Sequence, residues 1–240
     1  MGDLKIGDRI LVGKGVYEPI FSFGHHAAHV QAEMLEIVTP EHNLILTNTH
    51  MIFTAQHGPI PASLVHVGDR LLLENGTAEV ESIKLVKEHG MYAPFTPSGR
   101  LIVDGVLVSS YASLEKSKDV QFFLGWGISH HTLSHIVEAP HRILCYHFGG
   151  CREEAYNEDG INFALIKIMY FGRWVLKLRG MPKFIMMSIV LLVASMFMLL
   201  EVLISYPLLG LFVLFSFIKK RHNCNGHKLF VVGSEFQCSY

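Results

Sequence analysis

Leu4-Lys5-Ile6-Gly7-Asp8-Arg9-Ile10-Leu11 recurs about sixty residues later as Leu64-Val65-His66-Val67-Gly68-Asp69-Arg70-Leu71. A looser echo links Leu44-Ile45-Leu46 to Leu101-Ile102-Val103. Self-similarity at a fixed interval marks a duplicated unit, so the first half of the chain reads as two related β subdomains, neither with a closed core of its own. The pieces are strand-like. Ile10-Leu11-Val12 and Leu71-Leu72-Leu73 are short apolar runs ended by turn residues, Gly13 and Asn75-Gly76. Ser98-Gly99 and Asp104-Gly105 punctuate Leu101-Ile102-Val103 and Val106-Leu107-Val108 in the same way. Short strands with turns roughly every eight to twelve residues indicate an all-β domain of pseudo-twofold related subdomains.

After Tyr111 the pattern changes. Residues 119–148 carry Phe122, Phe123, Leu124, Trp126, Ile128, Leu133, Ile136 and Val137 at partly helical spacing, together with five histidines, and read as short amphipathic helices. A glycine-bounded acidic loop follows, with Glu153, Glu154 and Asp159, and then a basic amphipathic segment from Ile161 to Leu178. From Phe184 to Ile218 the chain runs for 35 residues with Glu201 as its one charge. As helix that length rises about 52 Å, whereas one bilayer crossing needs about 30 Å. It reads as a membrane segment, either one long tilted helix or two short spans broken near Tyr206-Pro207. Arg173, Lys177, Arg179 and Lys183 precede it and Lys219, Lys220 and Arg221 follow it. Basic clusters at both ends choose no orientation for a single span, while a hairpin places both on one face.

The net charge of −1 says nothing about nucleic acid, but the sequence has no basic stripe to hold phosphates, so no nucleic-acid partner is expected. The cysteines are Cys145, Cys151, Cys224 and Cys238, and no CxxC pair among them reads as a zinc knuckle or redox motif. Cys145 and Cys151 read equally as a disulfide of a lumenal loop or as free thiols. His25, His26 and His29 are closely spaced, but without a Cys or carboxylate at ligand spacing they imply no metal. No cofactor is expected. Met1-Gly2-Asp3-Leu4-Lys5 lacks the apolar stretch of a signal peptide, and Ile6 stands where a myristoylation site wants Ser or Thr.

Leu46-Thr47-Asn48-Thr49-His50-Met51-Ile52-Phe53 resembles the LTxxHxxF block of hedgehog carboxy-terminal domains, the self-cleaving Hint module shared with inteins. Gly7-Asp8-Arg9-Ile10-Leu11 is similar to the first GDRVL block of that family. Ala62-Ser63-Leu64 with Val67-Gly68-Asp69-Arg70 is similar to the second. Gly90-Met91-Tyr92-Ala93-Pro94-Phe95-Thr96, with Gly99 and Leu101-Ile102-Val103, resembles its YAPLT segment, and Val108-Ser109-Ser110-Tyr111-Ala112 its closing ASCYA block. These blocks occur in order and cover nearly all of residues 4–113.

The resemblance implies a chemistry. A Cys thiol at the first position of the domain attacks the preceding carbonyl, turning a peptide bond into a thioester, and a second nucleophile, in hedgehog proteins the cholesterol hydroxyl, cleaves that thioester. An amide nitrogen leaves poorly unless protonated. That role falls by resemblance to His50, whose ordinary pKa of about 6.5 suits proton transfer near neutrality. Thr47 would bind the scissile amide and hold it strained. Three departures qualify the match. The family's Cys lies about fifteen residues before the first GDR block, ahead of Met1 here, so the chain is either a fragment or a module that has lost its chemistry. Where the family has an Asp that activates the sterol hydroxyl, His25 lies nearest. Ser110 occupies the place of the late Cys and cannot form a disulfide or exchange thioesters.

The expected organisation is a Hint domain over 1–113, a helical adduct and juxtamembrane region over 114–183, a transmembrane segment over 184–218 and a short polar tail over 219–240. The expected function is autoprocessing, silent in this chain as it stands, through His50, Thr47, His25 and Ser110. Its partners would be the upstream segment of its own precursor and a membrane lipid, a sterol or another lipid acceptor. Phe122, Phe123, Trp126 and Leu133 are the lipid-contact candidates, unless they simply cover the β core. The location is integral membrane, in the secretory pathway or at the cell surface. The alternative is a non-catalytic, membrane-anchored Hint remnant that serves as a folding or interaction module.

Overall fold

The two repeated segments fold as one turn made twice. Gly7 and Gly68 take φ of 97° and 92°, a left-handed backbone that strains any residue with a Cβ. The Gly7 N–H donates to the Ile20 carbonyl at 2.8 Å and the Gly68 N–H to the Val80 carbonyl at 2.9 Å. Asp8 and Asp69 each turn their carboxylate back to accept the backbone N–H three residues earlier, of Lys5 and His66, at 2.8 Å. Short acidic side chains hold such turns by this local bond. The Gly-Asp pair is therefore repeated because the turn needs both residues.

This is a computed structural model, and it describes residues 1–115, 117–121, 127–149, 151, 156–206, 228–232 and 235–239. After each turn comes a long strand, Ser22–Val38 and Ser82–Phe95. The two pair antiparallel from Ser22 opposite Phe95 to Val38 opposite Ser82. Antiparallel pairing of equivalent strands is what a local twofold axis produces. Asn43–Leu46 joins them to complete a three-stranded sheet. A six-stranded sheet orders Arg100–Val103, Val106–Ala112, His50–Thr54, Arg70–Leu72 and Thr77–Glu79, with Gly58–Pro61 also paired to His50–Thr54. Arg9–Gly13 and Val16–Pro19 form a separate hairpin.

One apolar cluster draws on both repeats and both sheets: Ile37, Leu44, Ile52, Ile60, Leu71, Val80, Val106 and Val108 are all buried within it. The strand His50–Thr54 is buried on both faces. Ile52 enters this cluster, and Met51 enters a second one with Phe21, Phe95, Tyr111, Cys145 and Leu165. Ile52→Val is expected to lower stability by about 0.5–1.5 kcal/mol, read as a shift of the denaturant midpoint. An unchanged midpoint would contradict a central, fully packed Ile52.

Beyond Ala112 the region expected to be all helix begins with a hairpin, Asp119–Gln121 paired to Gly127–Ser129, with Val120 opposite Ile128. Two apolar residues, each flanked by polar or small neighbours, make a period-two pattern too short to stand out among helical spacings. Helix His130–Val137 follows, capped by Ser129, whose hydroxyl accepts the Thr132 N–H at 3.1 Å. Ala139–Arg142 continues into a π-helical turn, Ile143–His147. Phe163–Lys177 is helical, as its amphipathic pattern predicts.

The apolar segment forms helix Gly180–Ser205, which starts before Phe184 because Gly180-Met181-Pro182-Lys183 supplies its first turn. It stops just before Pro207, and the residue preceding a proline avoids helical backbone. Among the described residues it is the one helix long and apolar enough to cross a membrane, by length and composition. Ile185, Ile189, Leu192 and Val193 are exposed on it. Residues 207–218 of the expected segment lie outside the described residues. The chain divides into two units, Met1–Ser195 and Met196–Tyr240. In the second, the tail expected to be merely polar holds a hairpin of Lys228–Val232 with Glu235–Ser239. Its signal is the β-prone run Leu229-Phe230-Val231-Val232 before the turn residues Gly233-Ser234.

Candidate functional site

His50 opens its strand directly after a tight turn, its N–H donating to the Thr47 carbonyl at 3.0 Å. Backbone pairing sets it opposite Ala112, and the Ser113 N–H donates to the neighbouring Thr49 carbonyl at 2.8 Å. The closing strand thus lies alongside the histidine. Its carbonyl at Ser109 accepts the His50 Nε2–H at 2.7 Å, which leaves the lone pair on Nδ1. Burial lowers the His50 pKa, and the Ser109 bond offsets part of that effect. The resting ring is therefore neutral.

Thr47, His50, Ser110 and His25 all line one cavity of about 950 Å³. Most of its wall is apolar, with Met91, Phe95, Leu133, Leu165, Ile168 and Val175 among the lining residues. Ser110 is 1% exposed, and its hydroxyl has no hydrogen-bond partner among the described residues; the same holds for Ser113, also in the wall. A buried hydroxyl without a partner is costly, so these two are polar points in the wall that a ligand can satisfy. The His25 ring is tied through Nε2–H to the Asp159 carbonyl. Leu133 packs with Val120, Val175 and Met187 while also facing the cavity. Phe122, Phe123 and Trp126 lie outside the described residues.

Sequence reasoning missed a polar network that runs from this site into the helices. The Tyr111 N–H donates to Ser109 Oγ at 3.0 Å, and that hydroxyl bonds His131 Nδ1 at 2.8 Å. His131 stacks on His135, with ring centroids 6.1 Å apart. Two donors, Tyr111 Oη at 3.1 Å and Arg142 Nη1 at 3.4 Å, face His135 Nδ1. A nitrogen approached by two donors must carry a lone pair, so His135 is neutral. Burial, then Arg142, His131 and Arg100, lower its pKa to about 3. Burial and then Arg100 lower that of His131 to about 4. His130 is also lowered by burial, against the opposing pull of Glu115, Asp119 and its bond to Ser117. The spacing His131-x3-His135 is the signal that placed two imidazoles on one helix face.

The Hint module family matches residues 1–176. The Tiggy-winkle hedgehog protein of Danio rerio is 30% identical over 194 residues, which cover 72% of this chain and 44% of that protein. The Indian hedgehog protein of Xenopus laevis is 28% identical over 196 residues, covering 73% of this chain and 44% of its own length. The chain thus spans less than half the length of these curated relatives. Among solved structures the gp41-1 intein is similar at 14% identity with a TM-score of 0.40, covering 45% of this chain and 83% of the intein.

Proposed function

Since this chain belongs to the Hint module family, we propose that it performs the autoprocessing of that family, with His50 as the proton donor to the departing amide nitrogen. The observation that carries this reading is the placement of His50. Its neutral ring is oriented by the Ser109 carbonyl, in one cavity with Thr47, Ser110 and His25. In the first step His50 Nδ1 takes the thiol proton, the thiolate sulfur bonds to the scissile carbonyl carbon, the carbon–nitrogen bond breaks, and the protonated His50 passes that proton to the departing amine. A histidine of lowered pKa is a stronger acid once protonated, which favours transfer to a poorly basic amide nitrogen. Thr47, whose backbone braces His50, holds the amide in position, and Ser110 offers its hydroxyl to the same segment. In the second step an acceptor oxygen bonds to the acyl carbon, the carbon–sulfur bond breaks and the sulfur leaves as thiolate. His25 Nδ1 takes the acceptor proton.

The acceptor is a lipid alcohol, a sterol or a relative of one, because the cavity that holds these groups is large and mainly apolar. Leu133 contributes to its wall, and Phe122, Phe123 and Trp126 precede it in the chain. The protein works at a membrane of the secretory pathway or the cell surface. Helix Gly180–Ser205 exposes apolar side chains over a length of about 39 Å, enough to cross a bilayer, and the Cys145–Cys151 disulfide suits an oxidising compartment.

The test is a fusion with a reporter and a Cys-bearing strand ahead of Met1. Added dithiothreitol should release the reporter through the thioester. His25→Ala should leave this release intact and slow lipid-dependent release by about 10²-fold or more, since a strong thiol needs no base. Equal slowing of both reactions would remove His25 from the acceptor step. No release at all would leave the module as a non-catalytic anchor.

A further inference from the structure

Outside the chemistry of the His50 cavity, three side chains meet that no motif or spacing groups in advance. The ligand atoms of His141, Cys145 and Cys151 lie within 4.8 Å of one another. His141 and Cys145 are four residues apart on the continuous turn that passes from Ala139–Arg142 into Ile143–His147, so both project from one face. Gly149, at a φ of +66°, helps bring the chain back to Cys151, which is disulfide-bonded to Cys145. Both His141 and Cys145 are buried.

The setting of His141 is unusual for a packed imidazole. Its Nδ1 is held at short range by the Glu138 carboxylate, itself 5% exposed. The Nδ1–H therefore donates to Glu138, and Nε2 faces the Ser22 hydroxyl at a long 3.4 Å. A carboxylate behind one ring nitrogen of a histidine grouped with two sulfurs is an arrangement that orients metal-binding histidines. The rings of Phe21 and Phe95 stand edge-on to His141 at 5.8 and 6.2 Å.

We propose that reduction of the Cys145–Cys151 disulfide opens a site for a zinc ion, bound by Cys145 Sγ, Cys151 Sγ and His141 Nε2, with Glu138 orienting the histidine. The reductant is a thiol. Two equivalents are oxidised to one disulfide as Cys145 and Cys151 each gain an electron and a proton. Zinc binding then displaces the two sulfur-bound protons to solvent. Two thiolates offset the charge of the dication, so the buried site gains no net charge. With zinc–sulfur bonds of about 2.3 Å, tetrahedral geometry sets the sulfurs about 3.8 Å apart, so metal and disulfide exclude each other. The fourth position is left to water or a ligand. The same residues thus hold a covalent staple under oxidising conditions and a metal under reducing ones.

Cobalt(II) is the probe, because thiolate coordination gives it a charge-transfer band and tetrahedral geometry gives it intense visible bands. The full chain carrying Cys224→Ser and Cys238→Ser, in detergent, is titrated before and after reduction by a phosphine that is then removed. The expected result is one cobalt per reduced chain with both signatures, displaced by equimolar zinc, and no such bands in the oxidised chain. His141→Ala should abolish the tetrahedral bands, and Glu138→Gln should weaken binding by about 10–100-fold. The oxidised-against-reduced comparison needs no substitution at the site, so it decides even where a variant folds poorly. Absence of bands in the reduced chain, or undiminished bands in a folded His141→Ala chain, overturns the proposal.

Discussion

His50→Ala is expected to slow dithiothreitol-induced release of an upstream reporter by about 10²–10⁴-fold, in a fusion that supplies a Cys-bearing strand ahead of Met1. The expectation follows from the leaving group. An unprotonated amide nitrogen departs as a strongly basic anion, so the forward step waits for a proton, and His50 is the titratable ring that the Thr47 turn and the Ser109 carbonyl place in the cavity. A purely structural role predicts something else. Removing the ring deletes one hydrogen bond to Ser109, worth about 0.5–1.5 kcal/mol, which lowers the unfolding midpoint and leaves chemistry in the folded fraction untouched. The two cases separate on three measurements taken together: release rate, midpoint and rescue. Imidazole in the buffer should recover part of the lost rate, since the substitution leaves space for a ring. A folded His50→Ala fusion that releases its reporter at the original rate would falsify the proton-donor role.

The β half of this protein is legible in its sequence because its turns are written in residues that only one backbone suits. Gly7-Asp8 and Gly68-Asp69 match each other across some sixty residues of chain, and each pair makes the same glycine φ and the same carboxylate-to-backbone bond. Thr47 and His50 stand out in the sequence through a family resemblance, and the structure adds a tight turn that ties their backbones together. What escapes a reading of sequence is tertiary. Nothing local says that Ser109, on a strand, reaches His131 on a later helix, or that Glu138 and His141 are buried together beside Cys145. Such contacts depend on how helices dock, and helical spacing predicts only which residues share a face. The hairpin of Asp119–Gln121 with Gly127–Ser129 is hidden by its brevity. The tail hairpin is hidden by its place after an apolar helix, where a polar segment has no evident core to join.

Acidification from pH 6.5 to 5 is expected to destabilise the fold by on the order of 2–4 kcal/mol through His131 and His135. The sign follows from proton counts. Unfolded, both rings titrate near 6.5; folded, His131 titrates at about 4 and His135 at about 3. Between those values the unfolded chain binds protons that the native chain refuses, so stability is complete above pH 6.5 and drains as pH falls. Each ring contributes at most about 1.4 kcal/mol per pH unit, discounted for the half-buried His135, which keeps some access to screening solvent. His50 and His130, also lowered by burial, act in the same direction. The window stops at pH 5 because carboxylates begin to titrate below it. Denaturant midpoints at intervals of half a pH unit measure the slope. His135→Gln, which keeps an acceptor for Tyr111 and Arg142 but does not titrate, should flatten the slope by about half of the pair's share. A stability that is level from pH 6.5 to 5, or a His135→Gln slope equal to the parent's, would remove the buried pair as the cause. The pair joins helix His130–Val137 to Ser109, whose carbonyl orients His50. Charging these rings in the native chain, which would loosen His50 from Ser109, waits for the lower range of about 3 to 4 in which the folded pair titrates.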